Sequence, residues 1–333
     1  MKLGRILRPS IERSIPRLVA VLPEQQQVLD LATAEYMLLC EEGATQEAAH
    51  RVASAIFPGS MTAAIETGSR FLEAAHRCIT RMPKHALLDI QHVVWLPPLD
   101  PLLQRDCLAF EQHLHNAFVV GQQRAIPDVY YDIPLYYKGN PRTLFGHEQE
   151  IPWPWYTQHL DYELELGFVV GRAGYNLTPE TAHTSLFGVT IYNDFSARDI
   201  QRKESAGGLG PAKGKDFATG LGPWITTIDE VDVHNLTMIA RVNGEEWSRG
   251  SSAASMWRVE ELLAYISQAE EVHAGELIGA GTIDYGCGLE LGRRLQPGDE
   301  IELEVTGIGV LRNRIGIPQK SGWMPQRRQR RQE

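Results

Sequence analysis

Apolar and polar residues change their spacing near residue 100. In residues 31–56 (LATAEYMLLCEEGATQEAAHRVASAI) and 61–81 (MTAAIETGSRFLEAAHRCITR), apolar side chains recur at helical spacing in an Ala-rich background, which predicts amphipathic helices. Residues 94–102 (VWLPPLDPL) hold three prolines, which break any regular element and place a boundary between residues 85 and 100. Beyond it come strand-like runs at 162–170, 186–192, 224–228, 236–242 and 300–312, most of them bounded by Gly, Pro, Asn or Asp. Asn243-Gly244 predicts a tight hairpin after the fourth run. Residues 255–267 (SMWRVEELLAYIS) predict one amphipathic helix. Strands and helices do not alternate regularly, which argues against a doubly wound parallel sheet and for an α+β, mostly β chain. The expected division is a small N-terminal region of short strands and helices (1–90), a β-rich domain (100–318) and a basic tail (319–333).

Composition narrows the function classes. Of 333 residues, 43% are hydrophobic and 22% charged, the balance of a globular chain rather than a disordered one. The net charge of −10 argues against a general nucleic-acid binder, which needs a basic surface. A small anionic substrate stays open, since a bound cation and a few local Lys or Arg residues reverse the field. Cys40, Cys78, Cys107 and Cys287 are scattered without metal-site spacing and read as reduced structural thiols. The opening MKLGRILRPSIERSIPRL has no long apolar run, so neither a signal peptide nor a membrane span is expected, and a cytoplasmic location is the default. The tail's Arg327, Arg328, Arg330 and Arg331 read as a frayed end, with a docking role the minor alternative.

The candidate chemistry starts in LDYELELGFV (160–169). Strand alternation puts Asp161, Glu163 and Glu165 on one face and Leu160, Tyr162, Leu164, Leu166 and Phe168 on the other. Neighbouring carboxylates on a covered strand need protons, basic partners or a metal to offset their burial. A solvated strand face is the bland alternative, but a further carboxylate, Asp194, stands just past the apolar run in LFGVTIYNDFSARDIQ. Hard oxygen ligands suit Mg²⁺, Mn²⁺ or Ca²⁺.

Six segments in order, YYKGNP (136–141), DYELELGFVVGR (161–172), GVTIYNDFSARDIQ (188–201), GPAKGKDFATGLGPW (210–224), GAGT (279–282) and PGDEIELEVTGIGVLRNR (297–314), together resemble the fumarylacetoacetate hydrolase superfamily. The resemblance implies that family's mixed β-roll or β-sandwich and four acidic metal ligands: Glu163, Glu165, Asp194 and Asp106, the last in RDCLAFEQHLHN. It implies a catalytic His seven residues after that Asp, which is His113, with His115 a close competitor. Glu290, in GLEL, matches the carboxylate that orients this His, and Lys215, in GKDF, matches a lysine near the metal. Arg198 and Gln201 resemble substrate-contacting positions, with Tyr137 and Thr282 as weaker candidates. A homodimer and a small keto-acid or diketone substrate are also implied.

These parts suit hydrolysis of a C–C bond in a 1,3-dicarbonyl compound through a metal-bound enolate. His113, oriented by Glu290, would activate water, and Lys215 would stabilise developing charge. The same enolate step serves a decarboxylase or a keto–enol or double-bond isomerase, and fold-level analogy does not choose among them. A non-catalytic, metal-stabilised binding protein is the alternative from another class. GGLGPAKGK (207–215) lacks the spacing and the Ser or Thr of a phosphate loop. No GxSxG or dinucleotide fingerprint occurs. The PWPWY stretch at 152–156 reads as a rigid loop near the site mouth.

Overall fold

The structure is a computed structural model that describes residues 1–8 and 15–328. Residues 329–333, with Arg330 and Arg331 of the basic tail, lie outside the described residues. The larger sheet runs through strands Leu87–Asp89, Gln27–Asp30, Pro16–Leu22, Lys2–Leu7, Thr219–Thr227, Leu186–Asn193, Leu164–Val170, Leu277–Gly279, Gln104–Cys107 and Tyr136–Lys138. Two short strands pair off this path, Val94–Leu96 with Lys2–Leu7 and Leu144–Phe145 with Thr219–Thr227. Lys2–Leu7 pairs antiparallel with Thr219–Thr227, so the N-terminal strands extend the sheet that the later strands build. A second sheet holds Glu245–Ser251, Thr237–Val242, Glu300–Val305, Gly309–Pro318 and Glu150–Trp153. The architecture is α+β. No helix among the described residues is long and apolar enough to cross a membrane.

Local sequence explains most of these elements and three departures from expectation. The Ala-rich stretch splits into helices Leu31–Glu41 and Gln46–Ile56 because Gly43 adopts φ +95° and the Thr45 side chain caps the second helix. The run 300–312 is two strands of a hairpin rather than one, turning through Thr306–Ile308 with Gly307 at positive φ, while Gly309, also at positive φ, opens the second strand. Of PWPWY, residues 152 and 153 end an edge strand, Glu150–Trp153, parallel to Gly309–Pro318, where a proline's missing N–H is tolerated. Asn243 and Gly244, at φ 52° and 79°, form the expected two-residue turn between Thr237–Val242 and Glu245–Ser251.

Two large cores flank the central strands of the larger sheet, and a smaller one of Ile6, Val19, Val21, Val28 and Trp95 packs on its N-terminal strands. Leu164, Leu166 and Phe168 pack into one shared with the second sheet and helix Val259–Ile266. Val169, Tyr192, Leu221 and Leu277 pack into the other, under helices Leu31–Glu41 and Ser69–Arg81 through Leu31, Leu38 and Phe71. The carboxylate face of strand Leu164–Val170 is thus the face covered, further along, by the N-terminal helices.

Candidate active site and metal centre

Strand register assembles the acidic cluster. Glu165 stands opposite Tyr192, Gly167 opposite Gly279, and Gly279 beside Asp106 on the parallel neighbour. Asp194 follows the last residue of strand Leu186–Asn193, and its amide donates to the Glu163 carbonyl. One oxygen from each of Asp106, Glu163, Glu165 and Asp194 lies within 4.8 Å of the others, and all four residues are buried. Ligand oxygens on opposite sides of the ion stand roughly 4.0–4.2 Å apart around Mg²⁺ and roughly 4.6–5.2 Å apart around Ca²⁺, so the cluster is the size of such a cage. Asp106 Oδ1 and Asp194 Oδ1 are buried with no hydrogen-bond partner, as expected of oxygens reserved for a cation. The all-oxygen donor set fits a hard divalent ion.

Two basic side chains brace part of this cluster. Lys215 Nζ contacts Glu163 Oε2 at 2.6 Å and also Asp194 Oδ2. Arg198, only 5% exposed, donates to Asp161 Oδ2 at 2.8 Å, Glu163 Oε1 at 2.6 Å and Gln201 Oε1 at 3.2 Å. Asp161 in turn accepts from the Gly288 and Leu289 amides. Burial alone would push the Glu163 carboxyl up, but Arg198, Lys215 and His113 hold it well below the usual carboxylate range. No cation contacts Glu165 or Asp106, and the pull of Lys215 on Asp106 is outweighed. Burial, reinforced for Glu165 by Asp106, Glu163 and Asp194 and for Asp106 by Asp194, pushes both well above that range. One end of the cluster is neutralised by protein, and the other lacks a positive partner.

Thr282 and Tyr137 both reach ligand carboxylates: Thr282 donates to Glu165 Oε1 at 3.2 Å and Tyr137 to Asp194 Oδ2 at 2.7 Å. The Gly281 amide adds 2.9 Å to Glu165 Oε2. Gln201 is half-buried at the edge of the arginine.

Beside the cage stands a His–carboxylate pair. Helix Glu111–His115 buries His113, whose Nδ1 lies 3.0 Å from Glu290 Oε2. His115 is exposed and faces Gln112 instead. Glu290 is held on both oxygens: Oε1 accepts from Asn116 Nδ2 at 2.8 Å and the Tyr285 amide at 3.3 Å, and Oε2 from Cys287 Sγ at 3.2 Å. Cys287 bridges to Glu163 through the backbone, linking the pair to the metal ligands.

A family model described as fumarylacetoacetate (FAA) hydrolase C-terminal matches residues 104–316, the stretch that carries every residue of the cage and of the His–carboxylate pair. The chain belongs to the fumarylacetoacetate hydrolase family. Among curated relatives, "Oxaloacetate tautomerase YisK" of Bacillus subtilis is 27% identical over 312 residues, covering 90% of this chain and 96% of that protein. "Oxaloacetate tautomerase FAHD2A, mitochondrial" of Homo sapiens is 29% identical over 266 residues, covering 78% and 80%. Among solved structures, a fumarylacetoacetate hydrolase from Exiguobacterium antarcticum superposes with a TM-score of 0.70 at 25% identity, covering 95% of this chain and 99% of that one. A 5-carboxymethyl-2-hydroxymuconate delta-isomerase from Mycobacterium smegmatis shares the fold at 21% identity, with a TM-score of 0.66 and coverage of 96% and 100%. Proteins similar to this chain thus carry both hydrolase and tautomerase names.

Sequence reasoning named the carboxylates but not what lets them converge. Gly279 supplies the space: a Cβ there would overlap Asp106 Oδ1 and sit 3.2 Å from Glu165 Oε2. Gly279→Ala is therefore expected to weaken Mn²⁺ binding about 10–100-fold while leaving the fold intact. Titration calorimetry checks it, and an unchanged affinity would mean that the two carboxylates do not share an ion across this glycine. Asn116 and Cys287 were also missed as partners of Glu290, because they meet it only once the chain has folded.

Proposed function

We propose that this chain is a divalent-metal-dependent keto–enol tautomerase acting on a 2-oxo dicarboxylate such as oxaloacetate. Asp106, Glu163, Glu165 and Asp194 would hold Mg²⁺, Mn²⁺ or Ca²⁺. The observation that carries the reading is the His113–Glu290 pair beside the oxygen cage. Support for tautomerisation over other outcomes comes from the near end-to-end likeness to a protein named oxaloacetate tautomerase. A bound divalent ion supplies Lewis-acid polarisation and a fixed seat for the paired oxygens of the substrate.

In this reading His113 takes the proton from the carbon between the two carbonyl-bearing groups and returns it to the 2-oxo oxygen. The substrate gains and loses no atoms. Glu290 fixes the ring and offsets the imidazolium that forms in between. The Lys215 ammonium places positive charge beside the oxygen where enolate charge develops. Gln201 contacts the substrate, and Arg198 holds both Gln201 and Glu163 in place. Tyr137 and Thr282 orient the ligand carboxylates and border the substrate. A homodimer located in the cytoplasm belongs to the same reading, and sedimentation of the purified chain tests the dimer.

A second reading is hydrolytic cleavage of a C–C bond in a 1,3-dicarbonyl substrate. It is favoured by the same pair, which is equally able to take a proton from water, and by the 25% identity to the Exiguobacterium hydrolase. Proton NMR of oxaloacetate and of acylpyruvates, with Mg²⁺ and with chelator, separates the outcomes. Faster enol–keto exchange without new products supports tautomerisation. An acid plus a ketone or keto acid would replace it with hydrolysis, and metal-dependent CO₂ release with decarboxylation.

A further inference from the structure

The acidic cage is not the sole group of ligating side chains in the described residues. His113, Cys287 and Glu290 each offer one ligand atom, and these three atoms also lie within 4.8 Å of one another. The donor set differs in kind: an imidazole nitrogen, a sulfur and one carboxylate oxygen. Glu290 Oε2 stands 3.0 Å from His113 Nδ1 and 3.2 Å from Cys287 Sγ. Two ligands of a tetrahedral zinc ion, at ~2.0–2.3 Å from the metal, are roughly 3.3–3.8 Å apart. The triangle already present needs to open by only a few tenths of an ångström on its two short edges. Cys287 is fully buried, His113 is 8% exposed, and His113 Nδ1 makes no well-aligned hydrogen bond despite its contact with Glu290.

We propose that His113, Cys287 and Glu290 form a second, inhibitory site for a thiophilic divalent cation such as Zn²⁺. On binding, the Cys287 thiol releases its proton to solvent and the thiolate, the neutral imidazole and the Glu290 carboxylate ligate the ion. The bound ion and its ligands then carry no net charge, and water completes the tetrahedron. The two sites sort cations by hardness. Four carboxylate oxygens suit Mg²⁺ or Mn²⁺, whereas an N, S, O triad suits zinc, cadmium or cobalt. Zinc at the triad occupies the proton-carrying imidazole and its orienting carboxylate together, so it stops turnover without displacing the activating ion. Binding at the triad is independent of the proposed reaction, while the inhibition rests on it.

The test uses the full chain saturated with Mg²⁺ and titrated with Co²⁺ as a spectroscopic stand-in for zinc. Expected is a thiolate-to-cobalt charge-transfer band that saturates at one equivalent and is bleached by Zn²⁺. It should vanish in Cys287→Ser and need at least about tenfold more Co²⁺ in His113→Gln. Thermal unfolding and Mn²⁺ affinity of Cys287→Ser confirm that its fold and cage persist, and the His113→Gln arm decides if they do not. Zinc inhibition of turnover should weaken at least about tenfold in Cys287→Ser. Absence of the band in the wild type, or its persistence in Cys287→Ser, overturns the site. Zinc inhibition that is equal in wild type and Cys287→Ser, and relieved by excess Mg²⁺, would put the ion in the carboxylate cage and overturn the proposal as well. A wild type with the cobalt band but no tautomerase activity would count against the proposed reaction and leave the metal site standing.

Discussion

His113→Asn is expected to lower kcat for oxaloacetate tautomerisation about 10²–10⁴-fold, the range a positioned general acid–base supplies. The loss should fall on kcat rather than on metal affinity, because His113 is not among the cage residues. Asparagine keeps a polar side chain beside Glu290, and Glu290 retains its bonds from Asn116, the Tyr285 amide and Cys287. The substitution therefore removes the proton carrier without stranding a buried carboxylate, and the fold should survive. Glu290→Gln should cost less and should also change the shape of the pH–rate profile, since the ring stays but its charged support is gone. Stopped-flow measurement of enol decay gives both values. A His113→Asn enzyme within about tenfold of wild type would remove this imidazole from the chemistry. His115 could not readily take its place, being exposed and turned to Gln112.

How much of this was legible beforehand depends on whether a feature is local. Period-two alternation in residues 160–169 carries real information about faces, and the structure puts Glu163 and Glu165 opposite Leu164, Leu166 and Phe168 as alternation requires. The strand ends near 170 and 193, the Asn243-Gly244 turn and the N-terminal helices follow from side-chain chemistry within a few residues. The hairpin at 300–318 was hidden because its turn, Thr306 to Ile308, includes an apolar residue and sits inside an apolar run. The pairing of Lys2–Leu7 with Thr219–Thr227 has no local signature, since it joins segments more than two hundred residues apart. The same holds at the site. A carboxylate advertises its chemistry wherever it stands, whereas Gly279 matters through a missing Cβ whose neighbours are known only from strand register. Cys287 read as a structural thiol because spacing alone could not bring it to Glu290 and His113.

Removing the divalent ion should abolish turnover and make stability fall as pH rises, with the penalty concentrated in Asp106 and Glu165. Both carboxyls are pushed well above their ordinary range, by burial first and by neighbouring carboxylates next. A group whose folded pKa lies above its unfolded value holds its proton more tightly in the native state. Its stabilising contribution is complete below the unfolded pKa and is lost as pH climbs through the folded pKa. Glu163 has the opposite sign. Its carboxyl is held low by Arg198 and Lys215 against burial, so its contribution is present above the ordinary carboxylate range and fades only in stronger acid. Between about pH 5 and about pH 8 the first pair governs, and the chelator-treated protein should melt at higher temperature toward the acid end. A divalent ion replaces those protons, so its stabilisation should run the other way and be largest near pH 8. Mn²⁺ at about a hundred times its Kd contributes about 2.7 kcal/mol, which for a chain of 333 residues is roughly 4 °C in Tm. Scanning calorimetry of the chelated and Mn²⁺-loaded protein across that pH interval measures the difference directly. A metal-induced shift that is the same at both ends would show that the cage carboxylates do not exchange protons for the ion. Turnover that survives exhaustive chelation would separate these four residues from catalysis altogether.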